Sequence, residues 1–346
     1  MRRLIPLLAT AALAGGCGQA PDEQAGTGAQ RFNVGGFMFS GSSDEQHWLR
    51  FERNVREQAG ETLDPVMLVR GEAGPEESML SELRRGRRIQ VGGGSFQGLA
   101  TIVPEIAVVS APFLFDSFEE VDFIFDEYLF EPFTELFAAQ GLVVLQYTDI
   151  GWVNFYAQKP IFELADARGY PLRAASSLAA LHFTESIGAD SKSLPFTDIV
   201  PSLQTGLIRG GATSTTMYTY GGVMSEARHL SLSRHSYDKG FILANARWFA
   251  TLTPQEQEVL RTAFGGHQIV REVTRRMVAE TLEQLPARGI EVHEWTPEQR
   301  AQWVEQAWPQ HPQLIRRVGG RAQEIYDLIL EGKQEFQRRQ AAAEAA

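Results

Sequence analysis

Apolar residues in this chain come in short runs separated by amphipathic stretches. Phe32 to Phe39 is apolar and glycine-rich, the pattern of a buried strand. Ser43 and Gln46 then have capping-box spacing, and Trp48, Phe51 and Val55 share one helical face. Asp64 to Val69 predicts a second strand, and Glu76 to Arg85 a short helix stopped by Gly86. Arg87 to Val91 leads a third strand into Gly92-Gly93-Gly94-Ser95. Pro104-Glu105 marks a turn into a short buried strand that ends at Pro112-Phe113-Leu114-Phe115. Glu119 to Gln140 reads as helix interrupted near Pro132, and Leu142 to Tyr147 as a strand.

A second block of the same kind begins near Gly151. Trp152 to Gln158 is strand-like, Arg173 lies in a short strand, and Ser177 to Ile187 is a helix stopped by Gly188. Asp198 to Thr205 is a helix closed by Gly206; Arg228 to Ser233 and Gly240 to Asn245 are strand candidates. The last third is helical. Thr253-Pro254-Gln255-Glu256 combines an N-cap, proline at N1 and a capping-box glutamate. The pattern continues to about Leu285, a helix of roughly 50 Å at 1.5 Å per residue that Gly265-Gly266 could kink. Thr296-Pro297-Glu298-Gln299 starts another helix, and a last one runs from about Ala322. This alternation predicts an α/β fold with strands buried on both faces.

The first residues read as an address. Met1-Arg2-Arg3 is charged, Leu4 to Gly16 is an apolar run of signal-peptide length, and Ala14-Gly15-Gly16-Cys17 resembles a lipobox. Residues 1–17 are expected to be a lipoprotein signal whose Cys17 carries the lipid anchor. Residues 18–30 are small and polar, the composition of a flexible tether that reaches about 45 Å at full stretch. Cys17 is the one cysteine, so a lipidated chain forms no internal disulfide. The protein is expected in the periplasm, anchored to the inner or the outer membrane. A formal charge of −11 gives no field for grasping nucleic acid.

Enzyme constellations are missing. There is no Gly-x-Ser-x-Gly elbow and no Gly-Lys-Ser/Thr phosphate loop. The seven histidines show neither HExxH nor HxH spacing. No catalytic residue, cofactor or metal is expected. Gly92-Gly93-Gly94-Ser95 reads as a strand end in close contact with other backbone, at the place where open α/β sheets bind ligands.

Several segments, in order, carry a resemblance. They are Val103 to Ser117, Pro160-Ile161-Phe162-Glu163-Leu164-Ala165-Asp166, Gly169-Tyr170-Pro171-Leu172-Arg173, Leu194-Pro195-Phe196-Thr197-Asp198-Ile199, Leu203-Gln204-Thr205-Gly206 and Asn245. From Phe32 to Leu285 the chain resembles the DctP-type solute-binding proteins of TRAP transporters. The resemblance implies a two-lobed fold of the periplasmic-binding-protein kind, with the long helix from Pro254 bridging the lobes. Lobe I would be 31–150 plus about 239–280, and lobe II 151–238 plus about 281–335. It also implies that Arg173 grips a carboxylate of the solute. An arginine fork suits that role, because it pairs both oxygens and stays charged when desolvated.

The chain departs from the family pattern. Arg209-Gly210-Gly211-Ala212-Thr213 stands where an Asp-Gly-x-Glu-Asn run is common, and Val153 where some members place a second arginine. Aromatic residues are frequent in the corresponding segments. The expected ligand-binding set is Arg173, Ser95, Phe96, Trp152, Phe155, Phe196, Thr213, Tyr218 and Asn245. The expected solute is an apolar or aromatic monocarboxylate, delivered to a TRAP-type permease in the membrane. Two rivals remain: a lipid-like or neutral apolar ligand with Arg173 structural, and a sensory protein that reports to a membrane receptor.

Overall fold

In the computed structural model, residues 28–344 are described. Cys17, the signal segment and most of the tether lie outside them. Strands β1 (Gln30–Gly35), β2 (Leu63–Leu68) and β3 (Val91–Ser95) are parallel, and α1 (Ser43–Ala59) and α2 (Glu76–Arg85) form their crossovers. The chain continues through α3 (Phe118–Ile124), β4 (Leu142–Ala157), β5 (Pro171–Ala174), α4 (Leu178–Ser186), β6 (Asp190–Ser193), β7 (Gly210–Ser214) and β8 (His229–Asn245). Helices α5 (Pro254–Thr262) and α6 (His267–Gln284), strand β9 (Glu291–Glu294) and helix α7 (Ala322–Glu344) follow. The strands make one nine-stranded sheet in the order β2-β1-β3-β8-β4-β7-β5-β6, with β9 against β8.

Two strands hold the lobes together. Where the sequence suggests a break near Gly151, β4 runs unbroken for 16 residues, and β8 for 17. Their pairing in lobe I, Leu142↔Asn245 to Asp149↔Lys239, passes into lobe II through a bulge between Asp149 and Gly151. Gly151 sits there at φ +106, a conformation that glycine adopts without strain. Beyond it β4 pairs with β7, and the first half of β8 with β9.

Other elements also depart from the expectation. Pro104–Ser110 is a 3-10 helix and not a strand. Its corner leaves Phe113 at φ 58, with its N–H donating to the His235 carbonyl at 2.6 Å. The first helix is capped one residue earlier than expected, by Ser42. The long helix from Pro254 is two helices, because Gly265 and Gly266 lie at φ +88 and +89, where a helix cannot continue. Of these two helices, α6 is the one that crosses between the lobes. His47 Nε2 meets Thr274 Oγ1 at 3.1 Å on one side, and the Tyr220 hydroxyl meets Thr281 Oγ1 at 3.4 Å on the other. Helix α7 packs on lobe I, not lobe II: Ile325 and Ile329 share a core with Val121 and Ile124, and Lys333 Nζ lies 2.8 Å from both Glu120 oxygens.

Behind the sheet, α6 and α3 enclose a charge network. Lys239 and Asp149 are wholly buried and 3.1 Å apart. Arg275 spans Asp149 (2.9 Å) and Asp122 (2.7 Å), while Arg271 meets Asp126 at 2.6 Å. Tyr237 donates to Asp149 at 2.7 Å. Three cations face three carboxylates, so the cluster is neutral as a whole. Burial works against the Asp149 charge, yet Lys239 and Arg275 hold its pKa below the usual carboxylate range. Removing one partner strands the rest. Lys239→Met is expected to destabilise the fold by about 3–5 kcal/mol, read as a lower urea midpoint. A loss under about 1 kcal/mol, the size of an exposed pair, would show that the network is not structural.

Candidate functional site

The parallel strands of both lobes end at a cleft, and short capped helices begin there. Ser95 at the end of β3 caps Phe96–Leu99, and Ser214 at the end of β7 caps Thr215–Tyr220. These strand ends, the hinge strands, the starts of α1 and α2, and α4 line one cavity between the lobes. Arg173 enters it from β5, beside Gly211 of β7. A side chain at Gly211 would collide with the Tyr156 ring and press on Arg173 Cβ, so glycine leaves the space Arg173 occupies.

Arg173 is 6% exposed. Its Nε donates to the Leu194 carbonyl at 2.9 Å and its Nη1 to the Ala212 carbonyl at 3.4 Å. Among the described residues it has no carboxylate partner. Burial lowers its pKa, although an arginine remains charged. The two carbonyls fix the plane of the guanidinium and leave Nη2 directed at no protein acceptor. A guanidinium fixed in this way can pair with both oxygens of a carboxylate.

Of the nine expected ligand residues, Arg173, Ser95, Phe155, Phe196 and Thr213 line this cavity; Val153 does so too. The other four do not. Phe96 is core, stacked on Phe125 with centroids 5.5 Å apart. The Tyr218 hydroxyl donates to the Ala227 carbonyl at 2.7 Å inside lobe II. Asn245 caps the next short helix and donates to the Leu83 and Arg84 carbonyls of α2. Trp152 lies on the opposite face, against Tyr237, in a second cavity with Arg275 and Thr274. The bulge explains this miss. Thr148 and Ile150 line the cleft before it, Val153 and Phe155 after it. One extra residue switches the alternation, and Trp152, expected in the site as an aromatic beside Val153, falls on the face opposite Val153 and Phe155. Arg209 is exposed and lies outside the lining.

The sequence reading missed the acids. Asp44, Glu76, Glu77 and Asp238 all line the cleft, with His47 and His235. Glu76 accepts from the Ser95 N–H at 2.5 Å and the Ser95 hydroxyl at 3.0 Å. Asp238 is 7% exposed and accepts from the Phe96 N–H at 3.1 Å. Burial pushes the Asp44 and Glu76 carboxyls up to about 7. Burial, then the charge of Glu76, raises Asp238 well above the usual range. Burial also lowers His47 to about 4 and His235 to about 3, so both imidazoles are neutral at pH 7. Asp44, Glu76 and Glu77 read in sequence as favourable first-turn helix acids, which hid them. Asp238-Lys239 was the visible signal: a charged pair between two strand candidates.

The two lobes touch across the mouth. The Ser176 hydroxyl donates to Glu77 at 2.5 Å, the Ser177 hydroxyl to Gln97, and the Phe39 and Phe196 rings meet edge-on at 6.1 Å. The structure is therefore closed. Elsewhere, His229, Glu291 and His293 on the β8–β9 pair place ligand atoms within 4.8 Å of one another and could hold a metal ion, away from the cleft.

Comparison with known proteins agrees with this geometry. The family model described as bacterial extracellular solute-binding protein, family 7 (DctP), matches residues 39–317. The C4-dicarboxylate-binding periplasmic protein DctP of Vibrio cholerae is 24% identical over 70% of this chain and 74% of its own length. The sugar acid binding protein DctPAm of Advenella mimigardefordensis, solved with galactonate, superposes with a TM-score of 0.82 at 23% identity, covering 88% of this chain and 99% of that one. A TRAP periplasmic solute binding protein of Shewanella oneidensis, solved with succinate, also gives 0.82, at 17% identity over 88% and 99%. With a two-lobed sheet, a closed cleft and a match over most of its length, the chain belongs to the DctP family of bacterial extracellular solute-binding proteins.

Proposed function

We propose that this protein captures a small organic acid in the interlobe cleft, with Arg173 holding the carboxylate, and delivers it to a TRAP-type membrane permease. The observation that carries the reading is Arg173 itself: nine-tenths buried, fixed by two carbonyls and without a carboxylate partner. The names of its relatives support it, since C4-dicarboxylate, galactonate and succinate are all carboxylates. Contacts from both lobes are complete only when the clam is shut, so ligand shifts the population toward the closed state that a permease would recognise.

The expected apolar or aromatic body needs narrowing. Val153, Phe155, Phe183 and Phe196 offer one apolar wall, and burial there is worth about 25 cal/mol per Å². Asp44, Glu76, Glu77 and Asp238 offer a polar wall. The fitting acid has one apolar flank and one polar flank. A wholly lipid-like ligand would bury Asp44 and Asp238 against an apolar surface with no cation beside either, which disfavours that rival. Anchoring through Cys17 is part of the same proposal and rests on the lipobox-like run before it.

Two outcomes follow. Calorimetric titration with the acid that co-purifies should show Arg173→Ala weakening binding by about 2–5 kcal/mol, with Arg173→Lys intermediate. Equal affinities would remove Arg173 from the site. The second outcome concerns pH in the ligand-free protein. The buried neutral histidines His47, His235 and His311 have folded pKa values below 6.5, so their contribution to stability grows with pH up to about 6.5 and is then constant. Asp44 and Glu76 titrate in the fold at about 7, above their unfolded values, so the folded protein binds more protons and stability falls as pH rises through that range. The melting temperature should therefore drop between about pH 6.5 and 8, and Asp44→Asn should shallow the drop. An unchanged slope in that variant would contradict the assignment.

A further inference from the structure

The cleft is unbalanced in ionisable groups. Arg173 is its one lysine or arginine, and four carboxyl groups face it. His47 and His235 add nothing at neutral pH. Two of the acids have polar partners that occupy them: Glu76 is taken by Ser95, and Glu77 by Ser176. The other two are open. Asp44 has no ion pair and no hydrogen bond from any described side chain or backbone group, and Asp238 receives backbone N–H bonds but no cation. His47 Nδ1, buried in the same lining, is also without a partner.

The reverse side of the same strands shows a different treatment of charge. There Asp122, Asp126 and Asp149 are matched one for one by Lys239, Arg271 and Arg275. Asp238 and Lys239 are neighbours in sequence, yet they point to opposite faces, and only the back face is neutralised. A desolvated carboxylate without a cation is unfavourable unless a bound group supplies the charge.

We propose that the ligand is a zwitterion, an amino-bearing carboxylic acid whose carboxylate lies on Arg173 and whose protonated amine lies against the open carboxyl of Asp238, near the Ser95-held Glu76. This rests on the carboxylate reading of Arg173. Both acids lie close enough to Arg173 to feel its charge, which suits a compact ligand with both groups on one short skeleton. Asp44 extends the acidic wall further along the cleft. A hydroxylated acid would satisfy these carboxyl groups as hydrogen-bond partners, whereas an ammonium also supplies the cation against which a buried carboxyl can ionise.

The test compares matched acids by calorimetry and thermal shift: alanine with lactate, leucine with 2-hydroxyisocaproate, 4-aminobutyrate with 4-hydroxybutyrate, and glucosaminate with gluconate. At pH 7.5 the amino member of the best-binding pair should bind about tenfold tighter or more. Asp238→Asn should erase most of that preference while still binding the hydroxy member. The wild type gives an independent readout, because the amino preference should grow from pH 5.5 to 8. Over that range Asp44, Glu76, Glu77 and Asp238 face the ligand with the constant charge of Arg173, while His47 and His235 stay neutral. Hydroxy members binding as tightly as their amino partners, or no amino member binding at millimolar concentration, would overturn the zwitterion and leave the carboxylate site standing. Arg173→Ala binding the hydroxy members as well as wild type would instead overturn the carboxylate reading.

Discussion

Asp149 and Lys239 are wholly buried, and a charge removed from water persists only with a partner in reach. Each supplies the other's partner across the β4–β8 ladder at the point where the strands leave lobe I. Arg275 of α6 ties the pair to Asp122 of α3. The hinge strands, the bridging helix and the lobe I helix are thereby fixed to one another by a single neutral cluster. Exposed ion pairs elsewhere, such as Arg85–Glu82, are screened and worth far less. The bulge at Gly151 lies next to this cluster, so the flexible part of the crossover begins where the rigid part ends.

The cleft inherits its faces from that arrangement. Because Asp149 and Lys239 point backward, Thr148 and Asp238 point into the ligand space. The back of the sheet is closed electrostatically and the front is left open. Arg173, Glu76 and Asp238 are held by backbone groups and a hydroxyl, which orient them without an ion pair. The free site is thus pre-organised, and a ligand with matching charges meets little reorganisation on entry. The contacts Ser176–Glu77 and Ser177–Gln97 then carry closure from lobe II to lobe I.

Much of this was legible in the chain. The α/β alternation, the N-caps at Thr253 and Thr296 and the glycine stop at Gly86 all come from local rules of propensity and capping, whereas Arg173 was singled out by the family resemblance. What failed depends on tertiary context. The halves of β4 and β8 read as separate strands, because a bulge glycine and a charged Asp-Lys pair look like loop signals until partners on α3 and α6 are known. Trp152 was chosen as an aromatic beside Val153, and strand alternation puts the two on opposite faces. Phe96, Tyr218 and Asn245 follow or end cleft strands and so read as ligand residues, yet each turns into its own lobe's interior. The acids were hidden by a second explanation, since a carboxylate at a helix start is favourable with or without a ligand.

The account stands on one contact that can be observed directly. A crystal structure of the protein purified with its retained ligand should show a carboxylate paired to the Arg173 guanidinium, with atoms of both lobes closed around the same molecule. A ligand lying instead in the rear cavity beside Trp152 and Arg275, or one in the cleft that presents no anionic group to Arg173, would contradict it.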